Sequence, residues 1–290
     1  MDDVTWTRSP ESVIFTVLTP MNAMDPHSSV DPIESLNLID STLPVLSIDI
    51  EILDQAIARV KVKRDWTPEE ADHWDHYLRH DWVTESRIVS TGRVYGTWSN
   101  IPRELRGLLL IDGQPVVEVD MKNAQPMLLV QLYEDRTAKE CQNFIKVMER
   151  GLFYEYIMKD RGLTDRNEVK ELTMAYLCGK RKSTPHIGEF FEKHFPDLLK
   201  KLESISKTSG HKELANRLQR YESDIIVQGI CRDFPVFSMH DGVICPADIA
   251  EKVQQAMKKR IYDDCGLNAK VIIENDKRAF LTDPELPIAA

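Results

Sequence analysis

Asp120 and Asp241 lie far apart in the chain, and each stands at the end or tip of a stretch that reads as a β-strand. Two strands laid side by side would bring the carboxylates within a few ångströms of each other. At about 5 Å and an effective dielectric of about 20 their repulsion is about 3 kcal/mol, so such a pair calls for a divalent cation between its members. Each aspartate alone is also an ordinary strand-end or turn residue, Asp241 above all because Gly242 follows it.

A second set is Arg166, Lys170, Met174 and Cys178, which recur every fourth residue across 164–179. On a helix these side chains form one slowly drifting stripe with about 6 Å between successive members. Two cations, then an apolar and a small residue, match the phosphates, sugar and base of a nucleoside triphosphate. The alternative is a solvated basic face supported by Glu168 and Glu171. A third set, Thr91-Gly92-Arg93 followed by Ser99-Asn100-Ile101-Pro102-Arg103, is a polar segment with a basic end, or simply a connection between strands.

The elements that must position these residues follow from periodicity. Gln114-Pro-Val-Val-Glu-Val-Asp120 alternates after a Gly113 turn and predicts a strand. Residues 235–246 predict a hairpin with Asp241-Gly242 at its tip, projecting Asp241 from a sheet edge. A third strand is expected over 269–274. Helices are expected over 48–62, over 67–81 with Thr67 as N-cap ahead of Pro68, over 123–133, over 212–231 and over 249–262. Between 138 and 207 lies a helical region broken near Gly151, Gly162 and 179–185. The order predicts an α+β architecture with a helical insertion between the first two strands.

The 290 residues carry a formal charge of −10, which at first argues against a polyanionic partner. The charge is segregated. Residues 1–60 hold two Lys/Arg against ten Asp/Glu, whereas 159–220 hold fourteen Lys/Arg against nine Asp/Glu. A polyanion is expected at the middle of the chain. No apolar run approaches the roughly 20 residues that span a bilayer, and the acidic Met1-Asp2-Asp3 start is unlike a secretory signal, so no membrane partner and a cytoplasmic location are expected. Five cysteines without a CxxC pair predict reduced, mostly buried thiols and no zinc site. The first 45 residues, with five of the fifteen prolines, predict a loosely structured arm.

The order of these short motifs resembles that of the family A DNA polymerases. Thr91-Gly92-Arg93, Asn100-Ile101-Pro102 and the strand ending at Asp120 are similar to the family's T-G-R, N-I-P and motif A. Arg166, Lys170, Cys178 and Gly179 fall on its motif B frame, Val227-Gln228-Gly229 resembles its V-Q-G, and His240-Asp241 its motif C, within residues 90–265. The resemblance implies a right-hand fold with an antiparallel-sheet palm, helical fingers and a reduced or absent thumb. Its parts would be an acidic arm and thumb-like helices over 1–90, palm over 91–130 and 221–290, and fingers over 131–220.

It implies further that Asp120 and Asp241 ligate Mg²⁺, or Mn²⁺, for DNA synthesis from dNTPs on a primer-template, in a bacterial or phage-type setting. Lys170 would pair with the phosphates and protonate pyrophosphate, Arg166 would clamp the terminal phosphate, and Met174, Cys178 and Gln125 would line the nucleotide. Arg93, Asn100, Gln228 and His240 would contact nucleic acid. The chain departs from the pattern at Gln125, where the family has Glu as a gate against the ribose 2′-hydroxyl. It departs again at Lys122 and Asn123 for Ser and Gln, at Met174 for Phe or Tyr, at Cys178 for Tyr, and at Gly242 for a carboxylate. Sugar discrimination is thereby in question, and modest fidelity is expected.

The residues before Thr91 are too few for a full thumb with a proofreading exonuclease, and the shortened interval from Lys170 to Asp241 implies trimmed fingers. Asp49-Ile50-Glu51 imitates an exonuclease motif, with helix N-terminal acids as the plainer reading. An RNA-synthesising, primer-making or template-independent polymerase using rNTPs is one alternative, and a non-catalytic nucleic-acid-binding accessory protein is another.

Overall fold

The computed structural model describes residues 44–179, 184–274, 277–283 and 285; the proline-bearing arm expected over the first 45 residues lies almost wholly outside them. In chain order the elements are β1 (Leu46–Ile48), α1 (Leu53–Arg64), α2 (Pro68–His76), β2 (Ser86–Ile88), β3 (Val94–Gly96), α3 (Thr97–Asn100), β4 (Leu109–Ile111), β5 (Gln114–Met121), α4 (Ala124–Leu128), α5 (Lys139–Glu149), α6 (Phe153–Arg161) and α7 (Arg166–Cys178). There follow α8 (Pro185–His194), α9 (Pro196–Ser209), α10 (His211–Ile225), α11 (Cys231–Asp233), β6 (Phe237–Met239), β7 (Gly242–Pro246), α12 (Ala250–Cys265), β8 (Val271–Ile273) and α13 (Lys277–Thr282). The fold is α+β with antiparallel strand pairing.

Two compact units divide the chain. Of the described residues, the first holds 44–87, 96–113, 278–283 and 285. In it β1 pairs with β4, Ser47 opposite Leu110, and Thr67 caps α2 through a reciprocal capping box with Glu70. The helix expected over 48–62 begins only at Leu53, because Ile48 belongs to β1 and Asp49 turns the chain, accepting from the Glu51 N–H and from Arg278.

The second unit, described over residues 88–95, 114–179, 184–274 and 277, contains a four-stranded antiparallel sheet in the order β8-β5-β7-β6. Its two inner strands, β5 and β7, carry the register Val119↔Val243 and Asp120↔Gly242. All five residues of β7 are buried, as are Val116 on one face of β5 and Val119 and Met121 on the other, so these inner strands are covered on both faces. A continuous core joins the sheet to the helices, with Phe144, Phe153, Phe190, Phe191 and Phe195 packed mostly edge-to-face among α5, α6 and α8. The helical region expected over 138–207 is present as α5 to α9, broken at Gly151 and Gly162 as expected and also at Phe195-Pro196, where no break is expected; of the break expected over 179–185, residues 180–183 lie outside the described residues.

The hairpin tip differs from expectation. Met239 faces Gly242 in the β6–β7 ladder, so the two-residue turn is His240-Asp241, with His240 at φ 53, and Gly242 belongs to the strand. Gly242 is needed for space, since a Cβ there would collide with the Val119 carbonyl and lie 3.0 Å from the Asp120 Cα. Asp241 consequently projects from the end of the sheet beside its inner strands, not from a side edge.

Candidate functional site

β5 and β7 carry Asp120 and Asp241 to the same end of the sheet. The Met121 N–H donates to the Asp241 carbonyl at 3.3 Å, which ties the turn's backbone to β5, and the two carboxyl groups share a hydrogen bond. Burial, then the charge of Asp241, then that of Glu274 push the Asp120 carboxyl up to about 8, with Lys122 acting in the opposite direction. Two oxygen donors forced together at the cost of ionisation suit a hard divalent cation such as Mg²⁺. Among the described residues no group of three or more His, Cys, Asp or Glu gathers as a metal cage. The remaining positions around such a cation would fall to backbone, water and substrate oxygens, which Mg²⁺ readily accepts. Glu274 does not replace the acid missing at Gly242, because Lys277 bridges it at 3.0 Å and also engages Glu118.

Next to this pair lies a buried polar group that the motifs did not reveal. Glu222, on α10, has a side chain only 1% exposed, and Arg93 Nη2 stands 2.6 Å from its Oε1 and 2.7 Å from its Oε2. Gln125 Nε2 donates to the same Oε2 at 2.7 Å. Burial raises the Glu222 pKa against the opposing pull of Arg93, and the charge of Asp241 adds to the rise. Burial also works against the Arg93 charge, but Glu222 and Tyr95 outweigh it and its pKa is raised. Donation from Nε2 leaves Gln125 Oε1 as a buried acceptor with no partner among the described residues; Arg93 Nε and Ser223 Oγ are also unpaired. Gly92 lets Arg93 reach this position. It sits at φ 81, and a Cβ on it would lie 2.7 Å from Ser223 Oγ.

The stripe on α7 runs as expected, with Arg166 and Lys170 exposed and Met174 and Cys178 half-buried, while Val169, Thr173, Tyr176 and Leu177 face the core. Asp165 caps the helix by accepting from the Asn167 and Glu168 N–H groups. Arg166 is not supported by Glu168 or Glu171; its Nε donates to Glu155 at 2.7 Å, and its guanidinium lies 5.1 Å from the centre of the Tyr154 ring. Tyr154 is buried, and its phenol is pushed up to about 12 by burial, Arg166 opposing and Asp241 adding to the rise. At the other end of the stripe burial raises the Cys178 thiol, with the Arg93 charge opposing. One end of the stripe thus lies within the electrostatic reach of Asp241 through Tyr154, and the other within that of Arg93.

Arg93 and His240 line one small crevice of about 10 Å³ with Tyr95, Ser223 and Val227, and the His240 ring stands 6.3 Å from that of Tyr95. Gln228 is exposed on a π-helical turn, Ile226–Ile230. Lys170 is exposed and makes no ion pair among the described residues. Asn100 ends α3 and is exposed in the first unit.

The five cysteines are free, three of them buried and two half-buried. No helix among the described residues is long and apolar enough to cross a membrane. No protein-family model matches the chain, and a search of curated proteins finds no match.

Proposed function

We propose that this chain is a nucleotidyltransferase that extends a nucleic-acid 3′-hydroxyl with nucleoside triphosphates, using a right-hand polymerase arrangement and, in its simplest form, template-directed DNA synthesis from dNTPs on a primer-template. The observation that carries the proposal is the contact between Asp120 and Asp241, two acids from distant parts of the sequence held together against their own repulsion.

Asp120 and Asp241 would hold Mg²⁺, or Mn²⁺ in its place, which when bound neutralises the triphosphate and eases ionisation of the attacking hydroxyl. Arg166 and Lys170 stand one turn apart on the exposed face of α7 and can pair with phosphate oxygens; Lys170 is also able to give a proton to departing pyrophosphate. Tyr154 stiffens the approach by carrying the Arg166 guanidinium on its ring. Met174 and Cys178 continue the stripe as a less polar wall for sugar and base. Arg93, held by Glu222, and His240 flank one narrow crevice beside the acid pair, from which they would contact the primer strand, with Gln228 exposed beyond Val227. Gln125, oriented by Glu222, would stand beside the sugar with an amide in place of a carboxylate.

The test is a primer-extension assay on primed DNA and RNA templates with dNTPs or NTPs, Mg²⁺ or Mn²⁺, and a lane without template. Wild type is expected to add nucleotides, and Asp120→Asn and Asp241→Asn to lose more than about 100-fold, beyond the usual effect of removing a residue outside the metal shell. Absence of incorporation under all conditions, or full activity in Asp241→Asn, refutes the proposal. Template-independent addition or exclusive use of NTPs would reassign the substrate while keeping the chemistry.

A further inference from the structure

A second polar site lies among the helices of the same unit, where an open cleft of about 630 Å³ is walled by α5, α6 and the junction of α8 with α9. Lys146 and Arg150 stand one turn apart on its α5 wall, and Lys159 faces it from α6. All three are exposed, and none makes an ion pair among the described residues. The one carboxylate in the lining, Glu155, is neutralised by Arg166, which donates to its Oε1 at 2.7 Å, while its Oε2 is buried without a partner among the described residues. Two cations one helical turn apart, about 6 Å, repel by about 0.7 kcal/mol in water, and an anion seated between them would relieve that repulsion.

The charges share the cleft with an apolar and aromatic wall. Leu152, 52% exposed, and Tyr156 lie one turn apart on α6. Tyr156 is fixed in place, because its hydroxyl is 2.6 Å from His194 Nδ1, His194 Nε2 is 2.8 Å from Asp160, and Asp160 is also held by Arg161 and Lys193. The Tyr156 and His194 rings are 4.8 Å apart. A surface ordered before its ligand arrives loses little entropy on binding.

We infer that this cleft binds single-stranded nucleic acid, its phosphates on Lys146, Arg150 and Lys159 and its unstacked bases against Leu152 and the edge of the Tyr156–His194 pair. A chain of phosphodiesters matches cations spread along two helices, whereas a lone phosphate is best held by donors converging on one point. An exposed apolar residue beside the cations favours bases free to leave the stack, which a duplex keeps inside. The inference does not depend on metal at Asp120 and Asp241.

The test is fluorescence anisotropy of a labelled thymidine 15-mer with the full chain in EDTA, without nucleotide, across a range of salt concentrations. The variant Lys146→Ala/Arg150→Ala/Lys159→Ala is compared with a control of equal charge change, Lys252→Ala/Lys258→Ala/Lys259→Ala on α12. Losing three phosphate contacts is expected to lower the slope of log K against log salt by about 2 and to weaken binding roughly 100-fold at 0.1 M salt, with the control close to wild type. Leu152→Asp, at an exposed position, is expected to weaken binding roughly tenfold. Circular dichroism melts confirm that each variant folds.

The inference is overturned if wild type does not bind the 15-mer, if the cleft and control variants behave alike, or if a DNA duplex binds equally and loses as much in the cleft variant. Full displacement of the strand from wild type by millimolar inorganic phosphate or thymidine monophosphate, with affinity independent of strand length, would also overturn it, in favour of a small phosphorylated ligand.

Discussion

Replacing Glu222 by alanine removes the acceptor that holds both Arg93 and Gln125. The carboxylate is 1% exposed and the Arg93 side chain 16% exposed, so water does not readily take over when the acid is removed. A buried cation deprived of its partner costs about 3–5 kcal/mol, and the loss of the Gln125 bond at 2.7 Å falls within the same range. The pair itself is a different quantity. Burial already raises the Glu222 pKa in spite of Arg93, which shows that desolvation offsets much of the attraction. Removing both charges together, as in Arg93→Leu/Glu222→Leu, is therefore expected to cost less than Glu222→Ala alone, by about 2 kcal/mol or more.

Urea denaturation of wild type, Arg93→Ala, Glu222→Ala and Arg93→Ala/Glu222→Ala measures the coupling directly, with about 2–3 kcal/mol expected. Additive effects, or a Glu222→Ala cost below about 1 kcal/mol, would refute the view that Glu222 organises this part of the site.

Three further outcomes follow from the geometry. Gly242→Ala places a methyl group against the Val119 carbonyl and 3.0 Å from the Asp120 Cα; it is expected to cost about 1–3 kcal/mol in denaturation and to separate the two carboxylates, abolishing any Mg²⁺-induced rise in Tm. With Asp120 raised from 3.8 to about 8, the folded chain binds more protons than the unfolded one between those values; this contribution to stability is present below pH 4 and is lost as pH climbs through 8. Melts in EDTA at pH 5, 7 and 9 should show a decline that Asp120→Asn lessens, and an equal decline in that variant would contradict the assignment. Asp165→Ala removes the cap of α7 and should cost about 0.5–2 kcal/mol, visible in the denaturation midpoint.

Sequence periodicity located the elements that hold the candidate site better than it located the contacts within it. β5 was legible because alternation over 114–120 survives in a strand that buries Val119 and Met121 on one face, and α7 because its cap and its apolar face are local. The hairpin tip was misplaced because Asp-Gly is a strong turn signal, whereas Gly242 answers to a close approach of β5 that no local rule contains. The Glu155–Arg166 bond joins two helices, so a reading confined to the acids of α7 led to Glu168 and Glu171, neither of which stands three or four residues from Arg166. Glu222 did leave a trace. Leu214, Leu218 and Ile225 form the buried stripe of α10, and Glu222 stands in that stripe, where a lone acid requires a buried partner.

The pairing of Asp120 with Gly242 across β5 and β7 has a consequence for how this chain can vary. The separation of the two acids is set by main-chain register, and register moves only in whole residues; a slip of one would turn Asp120 to the opposite face of the sheet. No graded series of intermediate spacings lies between the working pair and none at all. Random substitution along β5 and β7 should therefore sort into two populations, sequences that keep the acids together and sequences that lose them outright, while gradual tuning is left to the helices that carry Tyr154, Arg166 and Glu222.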